Sequence, residues 1–382
     1  QIDSLFASIL YAPVRLFFGN GVLDTEGYRM KDLGNRALVV TGRSSALKSG
    51  ALHDLEQCLK RESIDYVVFD GIPENPDFDS VMKGQKAALD FGAQFVVGAG
   101  GGSPMDAAKA VSLLAADPSL SPEDLMIPQD RQGLPVVCVA TTAGSGSEAT
   151  PYSILTLDRM RTKSSIRSRI WPVLSFTDPV YLETMPEGVR ISTALDTLMH
   201  LLESILAVRA DRFSVLYARE GLGVFSGVRS CLTGKGPDSR QYSLLAEASI
   251  LGGLAISRTG TSLPHGMGYL LTIRHGLPHG LATAVLAPGW LKGYPDQARV
   301  SQVLEELGFS SLEEFSFWLG QLIPDGQFSL SPEEVELYVE EMMLNRDKLS
   351  NHPDRPEARY LKEMYLRAPG RIPGTRGGER PE

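Results

Sequence analysis

The chain has 382 residues, enough for about two or three domains and a large hydrophobic core. Apolar residues make up 43% and charged residues 22%, and the absence of an uninterrupted apolar run of about 18 residues argues against a membrane span. The net charge of −9, without a long basic block, argues against a nucleic-acid partner. Three widely spaced cysteines, Cys58, Cys138 and Cys231, fit a reducing compartment, so we expect a cytoplasmic protein.

The first half alternates short β-branched runs with amphipathic stretches such as Gly50–Glu62. This alternation is typical of parallel strands joined by helices, so we predict a doubly wound, Rossmann-like α/β domain. The predicted strands are Arg36–Thr41, Tyr66–Phe69, Gln94–Gly98 and Leu134–Ala140.

The second half loses the strand pattern, and its apolar residues recur at helical spacing. We therefore predict an α/β dinucleotide-binding domain over residues 1–187 and an all-α metal-binding domain over residues 188–366. The tail, residues 367–382, is rich in glycine, proline and charge and is not expected to fold alone. The predicted helices are Ile191–Leu206, Phe213–Val228, Gln241–Ile256, Leu281–Leu291, Ser311–Leu322 and Pro332–Leu344.

A glycine-rich turn follows the third predicted strand. Gly100, Gly101 and Gly102 come just before a helical run, with Ser103 as its expected N-cap and Asp106 completing a Ser-x-x-Asp capping box. Glycines in front of a helix allow backbone N–H groups to approach a phosphate, although they also serve ordinary tight turns. We interpret this turn as a pyrophosphate-binding loop.

A second loop of small hydroxyl residues follows the fourth predicted strand. It contains Thr141, Thr142, Ser145 and Ser147 among glycines, and it could be a cofactor loop or an ordinary polar loop. Because the carboxyl ends of parallel strands lie at one edge of a sheet, the two loops together favour a dinucleotide.

The first predicted strand ends without the acidic residue that often binds the adenosine ribose of NAD. Gly42 leaves space there, and Arg43, Ser44 and Ser45 offer hydrogen-bond donors. An exposed arginine after a strand is most often just a solvated surface charge. We expect a preference for NADP(H) over NAD(H).

Four of the six histidines fall within residues 200–279. Asp196 and His200 are four residues apart and share one helix face, where they could form a simple Asp–His hydrogen bond or bind a metal. His265 and His279 each follow Leu-Pro and precede Gly. One aspartate and three histidines form a mixed oxygen and nitrogen set that suits Fe(II) or Zn(II) in an open, catalytic site.

Taken in order along the chain, these motifs resemble the iron-containing (group III) alcohol dehydrogenase family. The resemblance implies an N-terminal dinucleotide-binding domain, a helical C-terminal domain, a metal ion in the cleft between them and a homodimer. The matching segments are GGGSPMDAAKA (Gly100–Ala110), TTAGSGSE (Thr141–Glu148), DPVYLETMP (Asp178–Pro186), ALDTLMHLLES (Ala194–Ser204) and PHGMGYLLTIRHGLPHG (Pro264–Gly280).

Carried over by residue, the resemblance places Asp196, His200, His265 and His279 as metal ligands. Relatives with glycine at the position of Gly42 tend towards NADP. Where many relatives have a second histidine four residues after the third ligand, this chain has Tyr269; His275 could take over proton transfer or be a solvated loop histidine. The implied cofactor contacts are Gly42, Arg43, Ser44, Gly100, Gly101, Gly102, Ser103, Asp106, Thr141, Thr142, Ser145, Ser147 and Leu182.

The resulting hypothesis is a metal-dependent alcohol dehydrogenase or aldehyde reductase. It would transfer hydride between NADP(H) and a small alcohol or aldehyde. Two alternatives remain at this stage: a glycerol dehydrogenase-like polyol oxidoreductase and a non-catalytic nucleotide-sensing module.

Overall fold

The structure is a computed structural model that describes residues 12–369, except 158–160, 325 and 327, and residues 371–373. Within the described residues, the first half forms a six-stranded parallel sheet with the strand order β1-β8-β5-β4-β2-β3. The predicted α/β class is confirmed. The sheet strands are β1 (Arg15–Phe18), β2 (Arg36–Gly42), β3 (Asp65–Ile72), β4 (Phe95–Gly100), β5 (Val136–Ala140) and β8 (Leu174–Thr177), and a separate antiparallel hairpin pairs β6 (Ile154–Leu157) with β7 (Thr162–Ser165).

The strand order places a topological switch point between β2 and β4. The chain leaves β2 for the edge strand β3 and then returns to β4 on the other side of β2. Open α/β sheets bind ligands at such a switch point, outside the carboxyl ends of the strands. Those ends carry Gly42 on β2 and Gly100 on β4.

Helices cover both faces of this sheet because its central strands are buried on both sides. One apolar cluster packs the helix Ala51–Arg61 against the sheet, and another packs the helices Phe78–Phe91 and Gly102–Ala116 against the opposite face. The helices are α1 (Val22–Glu26), α2 (Ser45–Lys48), α3 (Ala51–Arg61), α4 (Phe78–Phe91) and α5 (Gly102–Ala116), with 3₁₀ helices over Gly27–Leu33, Pro122–Met126, Ser147–Ala149 and Pro179–Leu182.

The second half is mostly helical and has a large core of its own. The predicted helix Leu281–Leu291 is divided into two, since Pro288 lies in the first turn of a new helix. The helices are α6 (Glu187–Ile205), α7 (Arg212–Ser226), α8 (Arg229–Leu232), α9 (Ser239–Thr259), α10 (Leu263–His275), α11 (His279–Ala284), α12 (Ala287–Gly293), α13 (Gln297–Glu306), α14 (Leu312–Leu322), α15 (Pro332–Met343), α16 (Arg346–Ser350) and α17 (Ala358–Leu366).

One detail of the predicted all-α domain is wrong. Two short parallel strands, β9 (Phe328–Leu330) and β10 (Arg371–Pro373), pair with each other. Strands of three residues carry too little sequence pattern to be recognised, and β10 lies inside the predicted tail. Residue 370 and residues 374–382 of that tail lie outside the described residues. The domain boundary after residue 187 stays a prediction.

The two halves are in close contact at the loop after β5. Gly146 has a φ of +59°, and a Cβ atom there would lie 2.6 Å from the Cα of Gly253 on α9. This contact between two glycines brings the loop directly onto the helical half. In the part of the chain that the structure describes, no helix combines the length and apolarity needed to cross a membrane.

Candidate functional site

Helix α6 places three polar side chains on one buried face. Asp196, His200 and Glu203 follow at positions i, i+4 and i+7, so they stand above one another along the helix. All three are buried among apolar neighbours. A buried carboxylate is costly without a partner, so this face must be completed by other elements.

Two further histidines are supplied by the repeated Leu-Pro-His-Gly motif. In both copies the motif starts a helix: α10 begins at Leu263 and α11 at His279, because proline fits the start of a helix but not its interior. Gly280 allows α11 to lie against α6, since a Cβ atom there would come within 1.8 Å of the carbonyl oxygen of Ser192.

The four predicted metal ligands are brought together around one atom, Oδ1 of Asp196. The Nε2 atom of His265 lies 3.3 Å from it, and the Nε2 atoms of His200 and His279 each lie 3.7 Å from it. Asp196, His265 and His279 form the tightest group, with ligand atoms within 4.8 Å of one another. The ring of His200 stacks on that of His265, with centroids 4.7 Å apart.

The rings of His200 and His265 are each oriented by a hydrogen bond at Nδ1, the nitrogen atom that does not face Asp196. Nδ1 of His200 donates to the carbonyl oxygen of Gly144 at 3.2 Å, and Nδ1 of His265 donates to Oε1 of Glu203 at 2.5 Å. In a neutral ring whose proton is on Nδ1, the lone pair of Nε2 is available for a metal ion.

The residues present fit a metal ion. Among the described residues, Oδ1 of Asp196 and Nε2 of His265 are buried without a hydrogen-bond partner, which is rare unless another ligand completes them. Atoms bound tetrahedrally about 2.1 Å from one ion lie about 3.4 Å apart, close to the separations from Asp196. One oxygen and three nitrogen atoms suit Fe(II) or Zn(II).

The electrostatics of the cluster keep its carboxylate ionised. Burial by itself would raise the pKa of Asp196, but the neighbouring histidines, His200 foremost, hold it well below its usual range. Burial lowers the pKa of both His200 and His279, and the charge of Asp196 opposes that shift in each. The pKa of His265 is lowered by burial but raised more strongly by Glu203 and Asp196, to about 9.

The two candidates for proton transfer lie in different places. The ring of Tyr269 stacks on that of His279, with centroids 5.5 Å apart, so Tyr269 borders the cluster. His275 is at the end of α10, and its Nε2 atom is 2.8 Å from the hydroxyl group of Tyr338 on α15. Its assignment to proton transfer stays a prediction that this contact does not support.

The two predicted cofactor loops lie side by side. The backbone N–H of Thr141 donates to the carbonyl oxygen of Gly100 at 2.9 Å. A Cβ atom on Gly101 would lie 3.3 Å from Oγ1 of Thr142, and one on Gly102 would lie 2.7 Å from Oγ of Ser145. The glycines therefore let the start of α5 and the second loop approach each other closely at one edge of the sheet.

The predicted capping box is wrong. Helix α5 begins at Gly102, with Gly101 as its N-cap and no side-chain cap among the described residues. The hydroxyl group of Ser103 donates instead to the carbonyl oxygen of Glu74. Asp106 turns inward, because the fully buried Lys109 needs a nearby negative charge.

Asp106 and Ser147, both predicted cofactor contacts, belong to a buried hydrogen-bond network. Their contact with a cofactor stays a prediction. Oγ of Ser147 lies 2.5 Å from Oδ1 of Asp106, and the ammonium group of Lys109 bonds to both the hydroxyl and carbonyl oxygens of Ser147. Lys109 also bonds to the carbonyl oxygens of Thr150 and Tyr152. This network holds the second loop on α5.

The remaining predicted cofactor residues differ in exposure. Arg43 and Ser44 are exposed just after β2, and Oγ of Ser45 lies 3.4 Å from the position of a Cβ atom on Gly100. The end of β2 is therefore beside the glycine loop. Leu182 is fully buried in the core of the helical half.

Two residues at the site were not predicted from the sequence. Glu203 could have been recognised, because it continues the helix face of Asp196 and His200. Lys163 is on β7, which packs against α10; burial lowers its pKa to about 8, with Asp196 opposing that shift. No sequence pattern indicated that this hairpin would reach the cluster.

Comparison with known proteins agrees with this geometry. Residues 13–179 match the family described as iron-containing alcohol dehydrogenase, and residues 190–316 match its C-terminal family. The 1,3-propanediol dehydrogenase of Citrobacter freundii is 30% identical over 92% of this chain and 96% of its own. Lactaldehyde reductase of Escherichia coli is 26% identical over 78% of this chain and 80% of its own. The crystal structure of an iron-containing alcohol dehydrogenase from Thermotoga maritima superimposes with a TM-score of 0.87 at 37% identity, covering 95% of this chain and 99% of that one.

Proposed function

The chain belongs to the iron-containing alcohol dehydrogenase family, and on that premise we propose that it transfers hydride between NADP(H) and a small alcohol or aldehyde in a metal-dependent reaction. The observation that carries this proposal is the convergence of three Nε2 atoms on Oδ1 of Asp196 at 3.3–3.7 Å, in contact with the loop after β5. The proposed metal site and the proposed cofactor loop are thus joined by a direct hydrogen bond from His200 to Gly144.

In this proposal Asp196, His200, His265 and His279 hold Fe(II), or Zn(II) in its place. Such an ion lowers the pKa of an alcohol or polarises the carbonyl group of an aldehyde. The side chain of His279 is 30% exposed, so the cluster is accessible from that side. The ring of Tyr269, stacked on His279, would bound the space in which the substrate lies.

The cofactor would lie across the carboxyl ends of β2, β4 and β5. Backbone N–H groups at Gly101, Gly102 and Ser103 begin α5 and are suited to bind the pyrophosphate. Thr141, Thr142 and Ser145 would contact the nicotinamide half, because their loop continues to Gly144, which accepts the hydrogen bond from His200. In this arrangement the N-terminal domain would hold the nicotinamide cofactor, and the helical domain would hold the metal ion.

The preference for NADP(H) is supported by the residues after β2. Gly42 has no side chain to repel a 2′-phosphate, and Arg43, Ser44 and Ser45 are exposed donors at that strand end. An arginine near this position accommodates the 2′-phosphate of NADP in other dinucleotide folds.

The experiment is metal analysis of anaerobically purified protein, followed by turnover of a panel of aldehydes and diols with NADPH and NADH. We expect about one ion per chain and NADPH-dependent reduction of small aldehydes. Preferential oxidation of glycerol with NAD would support the polyol oxidoreductase alternative. Binding of metal and cofactor without turnover of any substrate would support the non-catalytic module.

The assembly and location of the protein complete the proposal. We propose a homodimer, as the family resemblance implies, which light scattering on the purified protein will test. We propose a cytoplasmic location, because Cys58, Cys138 and Cys231 are all free and buried, as expected in a reducing compartment.

A further inference from the structure

Glu203 is the most completely buried carboxylate near the proposed metal cluster. Its residue is 0% exposed, and both of its oxygen atoms are used. Oε1 accepts from Nδ1 of His265 at 2.5 Å, and Oε2 accepts from the backbone N–H of Ser262 at 2.6 Å. The same carboxylate therefore holds the ring of His265 and the backbone just before the helix that carries it.

The turn before α10 is held from a second side as well. Asn351, which is fully buried, donates from Nδ2 to the carbonyl oxygens of Thr259 at 3.0 Å and Thr261 at 3.2 Å. The ammonium group of Lys348 bonds to the hydroxyl group of Thr261. The turn is thus fixed between α6 and the α16 region, which restricts where His265 can be placed.

The carboxylate of Glu203 also determines which nitrogen atom of His265 is left free, because its hydrogen bond is to Nδ1 of that ring. A carboxylate at Nδ1 fixes the tautomer of an imidazole and makes its other nitrogen a stronger metal ligand.

We propose that Glu203 is a positioning residue for the metal site: it orients His265, directs its Nε2 lone pair towards Asp196 and increases its strength as a ligand. This inference rests on the proposed metal-dependent function and extends it to a residue outside the ligand set. Loss of the carboxylate should weaken metal binding although no ligand atom is removed.

The test compares the wild type with Glu203→Gln, Glu203→Ala and the control Glu187→Gln. Gln has the size of Glu but lacks the charge, and it cannot accept from both His265 and Ser262. Glu187 is on the same helix with its side chain 71% exposed, so it controls for the substitution itself. Metal-free protein is titrated anaerobically with Fe(II) and with Zn(II) against a competing chelator.

We expect the dissociation constant to rise about tenfold in Glu203→Gln and about 100-fold in Glu203→Ala, and to stay unchanged in Glu187→Gln. The absorption bands of Co(II)-loaded protein should shift in Glu203→Gln but not in the control, which a purely structural role would not produce. Thermal unfolding of the metal-free proteins shows whether each variant is folded. If Glu203→Ala does not fold, the isosteric Glu203→Gln alone decides the test.

Two outcomes would overturn the inference, and they are distinguishable. If wild type and Glu203→Gln bind metal equally well and give the same Co(II) spectrum, Glu203 does not position His265, while the proposed function stands. If the wild type itself binds no metal, both the inference and the metal-dependent function are wrong.

Discussion

At the scale of single residues, two histidines only four positions apart in the sequence have different surroundings. His279 faces Asp196 at 3.7 Å, whereas His275 bonds to Tyr338 on α15. We predict that His279→Ala lowers the metal content and abolishes turnover, with the circular dichroism spectrum unchanged. His275→Ala is the matched control and should keep its metal. If His279→Ala keeps stoichiometric metal and a near-normal rate, His279 is not a metal ligand.

A second residue-scale prediction concerns Gly42 and the choice of cofactor. A Cβ atom there would lie 3.4 Å from the carbonyl oxygen of Ile72 and 3.8 Å from Cγ of Pro104, so a side chain fits without moving the backbone. An aspartate would repel a 2′-phosphate and accept hydrogen bonds from ribose hydroxyl groups. Each charge-assisted bond contributes about 1.5–3 kcal/mol, and about 1.4 kcal/mol of differential binding is a tenfold change in preference.

The measurement is the ratio of kcat/KM with NADPH to kcat/KM with NADH. We expect the wild type to favour NADPH and Gly42→Asp to move the ratio towards NADH by at least about tenfold. A wild type that favours NADH, or a ratio that the substitution leaves unchanged, would show that this strand end does not recognise the 2′ position.

At the scale of elements, the packing of α11 on α6 sets the distance between His279 and Asp196. A Cβ atom on Gly280 would clash with the carbonyl oxygen of Ser192, which is backbone and cannot move aside cheaply. Gly280→Ala should therefore displace α11, lower metal affinity and destabilise the fold by about 1–3 kcal/mol. Gly188→Ala is the control, since a Cβ atom there meets nothing within 4 Å. Metal titration and denaturant unfolding test both, and an unaffected Gly280→Ala would show that the helix contact is not needed.

The elements also show what sequence can predict. Strands β2 to β5 and the long helices α6, α7 and α9 were predicted because each carries a continuous apolar run or a helical period over many residues. Strand β8 was missed because Leu174–Thr177 has only four residues, and the hairpin of β6 and β7 because its burial pattern does not alternate cleanly.

The site residues, too, include some that the sequence predicts and some that it does not. The four proposed ligands were found because histidine, aspartate and the repeated Leu-Pro-His-Gly motif are visible in the sequence. The capping box of Ser103 and Asp106 was a sound local pattern, but the carboxylate of Asp106 pairs with the buried Lys109 and with Ser147 instead of capping α5. Tertiary charge pairing of this kind has no local sequence signal.

At the scale of the whole molecule, Glu148 links the ionisation of one side chain to the stability of the fold. It lies in the 3₁₀ turn Ser147–Ala149, which packs against both β5 and α9, where sheet and helical half meet. Among the described residues, neither of its carboxylate oxygens has a hydrogen-bond partner. Burial raises the pKa of Glu148 from its ordinary 4.5 to about 7.

The sign of the effect on stability follows from these two pKa values. Below pH 4.5 the folded and unfolded states both keep the proton, whereas between pH 4.5 and about 7 only the unfolded state releases it. Stability therefore falls as pH rises through this window and levels off above about pH 7, at a cost of roughly 3 kcal/mol. Glutamine has the same shape and never ionises, so Glu148→Gln should remove this cost.

We predict that Glu148→Gln raises Tm by a few degrees at pH 8 and that the difference from the wild type shrinks steadily towards pH 5. Calorimetry at one scan rate, on protein freed of metal and cofactor, separates this effect from ligand binding. The exposed Glu187→Gln should give no pH-dependent difference, because its carboxylate is solvated in both states. If the difference in Tm is the same at pH 5 and pH 8, Glu148 keeps an ordinary pKa in the folded protein. If Glu148→Gln is less stable than the wild type at pH 8, the ionised carboxylate is stabilised at the contact between the two halves.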